Sequence, residues 1–148
     1  MGSLKGLAKK VKKGGGMLPL SSGVISPLTG FANDARGKPG KRQVTVLTFE
    51  AWKTCCKELQ KELPWTARRA NLLVSGIALA NTTGKFLHIN NIVLKISGET
   101  SPCKVMDKAY PGLQNTLIPN WRGGVTCSVI KGGRLAIGDQ VTIKTVGH

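Results

Sequence analysis

The pattern of apolar and polar positions predicts short β-strands over most of the chain. The strand-like runs are Gln43–Leu47, Leu72–Val74, Phe86–Ile89, Ile92–Ser97, Val125–Ile130, Arg134–Ile137 and Val141–Val146. Turns rich in glycine and asparagine, such as Asn90-Asn91 and Gly132-Gly133, separate several of them. Short strands with glycine turns favour a barrel over a sandwich here, because a helix and several long loops must also be placed.

One stretch has the 3.6-residue period of a helix instead. Its apolar residues are Trp52, Cys55, Cys56, Leu59 and Leu63. Thr48 suits the start of a helix and Pro64 cannot continue one, so we predict a helix over Phe49–Leu63. Both cysteines of the stripe are then packing residues, since adjacent cysteines on a helix point in different directions and chelate a metal poorly. A second, short helix is predicted over Pro111–Leu117.

The chain begins with a lysine-rich segment that ends in three glycines. Its composition predicts a flexible basic arm over residues 1–16, ahead of one domain over residues 17–148. An amphipathic helix on an acidic surface is the alternative, because Leu4, Leu7, Ala8 and Val11 share helical spacing. From Met17 to Lys41 the frequent Gly, Pro and Ser predict a long charged loop or a strand-loop-strand region.

Composition limits the class of protein. With 148 residues, of which 41% are hydrophobic, the chain can bury a core without disulfides. The formal charge of +15 predicts an anionic partner, which could be nucleic acid, acidic lipid or a phosphorylated cofactor. The four cysteines form no disulfide framework, and the sequence shows neither a signal-peptide pattern nor a long apolar run. We therefore expect a cytoplasmic protein with reduced thiols and no transmembrane segment.

Cys103 has the sequence setting of a reactive thiol. Pro102 precedes it and Lys104 follows it, which favours an exposed thiol with a lowered pKa. Cys127, by contrast, occupies an alternating strand position and is predicted to be buried and inert. Further along, Arg122-Gly123-Gly124 offers a cation beside two residues that let backbone N–H groups approach a ligand. Together these features indicate a soft-metal or sulfur site with an anionic partner.

Arg68 and Arg69 stand just before a predicted strand, close to Asn71. Planar groups with several donors suit phosphate or the edge of a pterin-like ring, and a solvated basic turn is the alternative. Zinc, serine-triad and metalloprotease chemistry lack their motifs, because no C-x-x-C, G-x-S-x-G or H-E-x-x-H is present. Nucleic-acid binding is the rival use of the arginines, although aromatic residues are only 5% of the chain.

Six segments, taken in order, resemble the MOSC domain family, which is named for the C-terminal domain of molybdenum-cofactor sulfurase. The segments are Gly30–Gly37, Gln43–Leu47 with Glu50–Trp52, Arg69–Val74, Ser101–Cys103, Arg122–Val125 and Gly138–Val141. The resemblance implies a mainly β (α+β) fold, a MOSC-like β-barrel with a few peripheral helices. It also implies a molybdenum cofactor (molybdopterin) that need not survive purification.

The resemblance further implies a role for individual residues. Cys103 becomes the catalytic thiolate and metal ligand, and the cofactor-binding residues are Arg69, Asn71, Ser101, Arg122, Arg36 and Thr45. The expected function is molybdenum-cofactor binding with sulfur carriage or cofactor handling. The alternatives are a molybdenum-dependent reductase of N-hydroxylated compounds and a small nucleic-acid-binding barrel. A sulfur donor or an electron-transfer protein is the expected partner, since the chain has no desulfurase, ferredoxin or flavin module.

Overall fold

The computed structural model describes residues 2–10, 16–31, 34, 40, 43–102 and 104–147. Its strands are β1 (Gly2–Lys10), β2 (Met17–Leu20), β3 (Ser22–Ser26), β4 (Gly30–Phe31), β5 (Val44–Thr48), β6 (Leu72–Ser75), β7 (Phe86–Ile89), β8 (Ile92–Glu99), β9 (Val125–Lys131), β10 (Gly133–Ala136) and β11 (Gln140–Lys144). Its helices are α1 (Phe49–Leu59), α2 (Val105–Ala109) and α3 (Leu113–Leu117), with 3₁₀ turns at Trp65–Arg68 and Pro119–Trp121. The predicted strands are confirmed to within a residue or two at each end.

Seven of the described strands close into a barrel in the order β11-β7-β8-β9-β5-β6-β1, and pairing of β1 with β11 completes the ring. Strand β2 extends the sheet beyond β1, while β10, β3 and β4 form a separate sheet. Strands β5 and β6 run parallel, since α1 crosses over between them. The predicted mainly β fold, a barrel with peripheral helices, is therefore confirmed.

The core has two parts on opposite sides of the barrel wall. The inward-facing positions along the strands fill the barrel, among them Leu4, Leu7, Val46, Leu72, Val74, Leu87, Ile96, Val125 and Cys127. The next residues on β5 and β6, Leu47 and Leu73, face outward under the helices and pack with Trp52, Cys55, Met106, Leu113 and Leu117. The outer face of β5 and β6 is thus covered by the helical layer, and the predicted burial of Cys127 is confirmed.

The prediction of a flexible arm over residues 1–16 is wrong for Gly2–Lys10, which forms β1. Leu4 pairs with Val74 and Leu7 with Leu72, and both leucines are only 1% exposed, so burial holds this segment in the barrel. A bulge between Leu4 and Gly6 adds one residue to the strand. Residues three apart therefore face the same side, which imitates the spacing of a helix, and the amphipathic-helix alternative is also wrong for this segment. Residues 11–15 lie outside the described part of the chain.

Helix α1 begins where predicted and ends earlier. The Thr48 hydroxyl accepts the Ala51 N–H at 3.1 Å as the expected cap. At the other end Gln60 adopts a left-handed conformation (φ 54°), and the Lys61 N–H donates to the Cys56 carbonyl at 3.1 Å. The chain then turns back, so that the Leu63 carbonyl accepts the indole N–H of Trp52 at 2.9 Å. Leu63 keeps its apolar contact without belonging to the helix.

Candidate functional site

Asn71 lies immediately before β6, on the outer side of the barrel, and joins three parts of the chain. Its Oδ1 accepts the Thr45 N–H at 3.1 Å. Its Nδ2 donates to the Ala8 carbonyl at 3.2 Å and to Asp34 Oδ2 at 3.0 Å. The structure therefore brings the predicted site residues Asn71 and Thr45 together. Asn71 is 3% exposed and both hydrogens of its amide bond within the protein, so the side chain holds the strand ends and Asp34 in place.

Asp34 belongs to this arrangement, although the sequence did not single it out. Its Oδ2 accepts both the Asn71 amide and the backbone N–H of Lys10, the latter at 2.8 Å. The available signal was that Asp34 is the first acidic residue in a strongly basic N-terminal part. The sequence pointed instead to its neighbour Arg36, which lies outside the described residues.

Arg69 lines a cavity of about 270 Å³ beside the outer face of the barrel. Its backbone is left-handed (φ 68°) at the end of the Trp65–Arg68 turn. The cavity is also lined by Gly16, Met17, Thr66, Ala67, Val105, Lys108 and Ala109. The last three belong to α2, which begins two residues after Cys103. Arg69 and the helix that follows Cys103 therefore face one cavity, to which Lys108 adds a second cation.

Cys103 itself lies outside the described residues, and the structure places its neighbours. The Pro102 carbonyl accepts the side-chain amide of Gln114 at 3.2 Å, which ties the chain before Cys103 to α3. Lys104 is exposed at the start of α2, and Ser101 is exposed as well. Strand β8 therefore carries the Ser101-Pro102 segment to the side of the barrel where α2 and α3 pack.

Arg122 is committed to a structural ion pair. Its Nη2 lies 2.8 Å from Glu58 Oε2, and its Nη1 donates to Glu58 Oε1 at 3.0 Å and to the Thr116 carbonyl at 3.1 Å. The Arg122 side chain is 15% exposed and that of Glu58 is 49% exposed, so this bidentate pair is buried on the arginine side and open to solvent on the other. Arg122 thus links α1 to α3, and the geometry gives no support to its expected contact with a cofactor.

The two glycines after Arg122 do not aim their N–H groups at a ligand, and that prediction is wrong. The Gly123 N–H donates to the Leu117 carbonyl and the Gly124 N–H to the Trp121 carbonyl, both at 3.0 Å. The Gly123 carbonyl accepts Arg68 Nε at 2.9 Å and the Thr100 hydroxyl at 2.8 Å. These bonds fix the turn against the end of β8.

Arg68 and Arg69, although adjacent, have different environments. Arg68 is only 8% exposed and bonds to the Gly123 carbonyl, so the alternative of a solvated basic turn is wrong for this residue. Arg69 is partly exposed and lines the cavity. Arg69 itself has the left-handed conformation that ends the turn, so its side chain leaves the backbone in a different direction from that of Arg68. The sequence alone did not indicate which of the two arginines would be buried.

Two of the described thiols, those of Cys55 and Cys127, are poor nucleophiles. Burial raises the pKa of Cys55 to about 11 against the opposing charge of Arg122, and its Sγ lies 3.5 Å from the Thr116 carbonyl. Complete burial raises the pKa of Cys127 as well. Cys56 is partly exposed. Among the described residues no group of three or more His, Cys, Asp or Glu side chains is placed to hold a metal ion.

The burial of Cys55 and Cys127, together with the sequence setting of Cys103, predicts the order in which the thiols react. At pH 7 a pKa near 11 leaves about one part in ten thousand of Cys55 as thiolate. Thiol-reagent kinetics on the folded protein should therefore show a fast phase that is lost in Cys103→Ser and retained in the control Cys56→Ser. A fast phase that survives Cys103→Ser and disappears in Cys56→Ser would contradict the assignment of the reactive thiol.

The fold defines a class of small proteins built on a closed seven-stranded barrel with helices packed on the outer face of β5 and β6. The family model for the MOSC domain matches residues 21–142, and the chain belongs to the MOSC domain family. The family resemblance inferred from the sequence is thereby confirmed. A comparison with curated proteins gave no match.

Solved structures share this fold at low sequence identity. The YuaD protein of Bacillus subtilis superposes with a TM-score of 0.83 at 17% identity, covering 99% of this chain and 97% of that one. YiiM of Geobacillus stearothermophilus gives 0.79 at 11% identity, covering 97% and 75% of the two chains. YiiM of Escherichia coli gives 0.71 at 13% identity, covering 95% and 69%. None of the described helices is long and apolar enough to cross a membrane.

Proposed function

We propose that this protein binds a molybdopterin-type cofactor at the cavity beside Arg69 and that Cys103 acts there as a thiolate. Membership of the MOSC family supports the choice of cofactor. The observation that carries the proposal is the lining of the 270 Å³ cavity, which contains Arg69, Lys108 and the first residue of the helix that follows Cys103. Two cations and the helix that follows Cys103 thus line one cavity.

The chemistry of these residues fits the cofactor. Its phosphate is an anion, which a planar arginine binds through paired donors and a lysine binds as a point charge. A cavity of 270 Å³ is close to the lower limit of about 300 Å³ for small-molecule sites, so it suits the phosphate and part of the pterin. Ser101 and Arg36 complete the proposed set of contacts. Asn71, Thr45 and Asp34 would hold the surrounding strands, and Arg122 would fix α1 and α3.

The proposed role of the thiol is sulfur carriage. When bound, the cofactor supplies a molybdenum centre that exchanges sulfur or oxygen atoms. The Cys103 thiolate would attack the terminal sulfur of a donor persulfide, so that an Sγ–S bond forms while the donor S–S bond breaks and the donor leaves as a thiolate. The adjacent Lys104 favours the thiolate form through its charge. Soft thiolate sulfur is equally suited to ligate molybdenum.

The decisive experiment measures cofactor on protein purified anaerobically from a host that makes molybdenum cofactor. Molybdenum and oxidised pterin should both be present in the wild type and in Arg134→Ala, which removes an exposed arginine on β10. Arg69→Ala should lower the pterin content about tenfold, which corresponds to one lost phosphate contact. Cys103→Ser should retain pterin and lose sulfane sulfur.

The outcome against the proposal is also defined. Absence of molybdenum and pterin from the wild type, together with Cys103 resistant to thiol reagents in the folded protein, would exclude this site. Equal pterin loss in Arg69→Ala and Arg134→Ala would show that charge alone, and not the cavity, retains the cofactor.

The same preparation separates the alternatives. Reduction of an amidoxime by the loaded protein with a chemical electron donor, lost in Cys103→Ser, would favour the reductase. Strongly salt-dependent RNA binding that survives Cys103→Ser would favour nucleic-acid binding. Deletion of the N-terminal segment is unsuitable for that test, because it would remove β1 from the barrel.

A further inference from the structure

A second cavity, larger than the one beside Arg69, lies along α1 and the turn that follows it. We call it the α1 groove. Its volume is about 580 Å³, within the range of sites that bind ligands or peptide side chains. Phe49, Trp52 and Leu63 supply its apolar part, and Lys53, Lys57 and Lys61 supply its cations. No residue of this lining is shared with the cavity beside Arg69.

Hydrogen bonds already hold the α1 groove in shape. The left-handed Gln60 and the bond from the Lys61 N–H to the Cys56 carbonyl turn the chain back along the helix. The Leu63 carbonyl accepts the Trp52 indole N–H at 2.9 Å, which fixes the opposite wall. A surface ordered in this way loses little conformational entropy when a partner binds. Phe49 nevertheless stays 40% exposed, so the groove leaves apolar area in contact with water.

Positive charges outnumber negative ones around the α1 groove. Lys53, Lys57 and Lys61 recur every four residues, which places those on the helix along one of its faces. The Lys53 ammonium lies 5.5 Å from the centre of the Phe49 ring, within the range of a cation–π contact. In the described part of the chain these three lysines form no ion pair, and Glu58 of the same helix is paired with Arg122. Glu62 is the acidic residue of the lining.

We propose that the α1 groove docks an acidic segment of a partner protein. One apolar side chain of the segment would rest on the exposed ring of Phe49, while its carboxylates pair with the three lysines. Charge complementarity decides the occupant, since a second copy of a chain with a net charge of +15 would bring further positive charge to a positive surface. The proposal depends only on α1 and the turn that follows it, and stands independently of the molybdenum cofactor.

The test uses a fluorescent synthetic peptide of aspartate and glutamate with one central phenylalanine. Binding is measured by anisotropy near 0.15 M salt, where long-range attraction to the whole chain is screened. The double variant Lys57→Glu with Lys61→Glu should weaken the affinity at least about tenfold. The control, Lys95→Glu with Lys144→Glu, changes the net charge equally at exposed positions on β8 and β11 and should weaken it less than about threefold.

The apolar half of the proposal is tested separately. Replacing the phenylalanine of the peptide by serine, or Phe49→Ser in the protein, should each weaken binding about tenfold. Because Phe49 is 40% exposed and lies outside the buried core, this variant should fold even if the lysine variant does not. Equal losses in the two lysine variants, or no loss on removing either aromatic ring, would overturn the proposal. Competition by decanoate as strong as by the peptide would overturn it too, by assigning the α1 groove to a small amphiphile.

Discussion

Gly124→Ala is expected to destabilise the protein by more than about 4 kcal/mol, a large part of the roughly 5–15 kcal/mol that stabilises a typical domain. Gly124 has φ 88°, a left-handed conformation that alanine adopts only with strain. An added Cβ would also overlap the Val46 carbonyl oxygen and lie 3.0 Å from its carbonyl carbon. Both atoms are backbone atoms of the central strand β5, so neither can move aside cheaply. Urea unfolding followed by circular dichroism measures the loss.

Gly138→Ala separates conformational strain from this steric overlap. Gly138 also has a positive φ of 99°, but an added Cβ would have no described atom within 4 Å. Its substitution should therefore cost about 1–2 kcal/mol, the strain alone. Similar losses for the two variants would show that the left-handed conformation, and not the close approach of Val46, makes Gly124 necessary.

Gly123, which precedes Gly124, shapes the chain beside the candidate site. An added Cβ at Gly123 would lie 2.8 Å from the Thr100 hydroxyl oxygen and 3.0 Å from Pro102 Cγ. Glycine at this position therefore lets the Thr100–Pro102 segment lie directly against the start of β9. Gly123 therefore positions the segment that precedes Cys103 in the chain, while the N–H groups of Gly123 and Gly124 bond to the Leu117 and Trp121 carbonyls.

The barrel could be predicted from the sequence because most strands have one face in the core. Alternation then marks each strand, as in Phe86–Ile89, where Leu87 and Ile89 are buried. Strand β1 was missed because its bulge shifts the alternation by one residue, and its lysines resemble those of a solvated arm. Helix α2 was missed because five residues are too few to show a helical period.

The candidate site was predictable only in part. The resemblance to a family selected Thr45 and Asn71, which the structure shows in contact. The resemblance could not show that the Asn71 amide donates its hydrogen bonds to Asp34 and to Ala8, which is 63 residues away in the chain. Partners so distant in sequence are determined by how the barrel closes. For the same reason nothing local to Arg122 indicated its ion pair with Glu58, 64 residues away.

Asn71→Asp should lower the free energy of unfolding by about 3–5 kcal/mol at pH 7. The new carboxylate can still accept the Thr45 N–H, but it cannot donate to the Ala8 carbonyl or to Asp34. It would place a negative charge beside the Asp34 carboxylate in a buried position. Asn91→Asp, on the exposed turn between β7 and β8, is the matched control and should change stability by less than about 0.5 kcal/mol.

The loss in Asn71→Asp should depend on pH and on Asp34. Burial and the neighbouring carboxylate both raise the pKa of the introduced carboxyl in the folded state above its unfolded value near 4. The folded variant then binds more protons than the unfolded one, so stability falls as pH rises between these two pKa values and returns as pH is lowered.

Adding Asp34→Asn removes the repulsion and supplies an amide donor, which should restore about 2 kcal/mol at pH 7. Urea unfolding of the single and double variants from about pH 5 to 8 tests both effects. A loss that is independent of pH and additive with Asp34→Asn would mean that the contact with Asn71 does not hold Asp34 against the barrel.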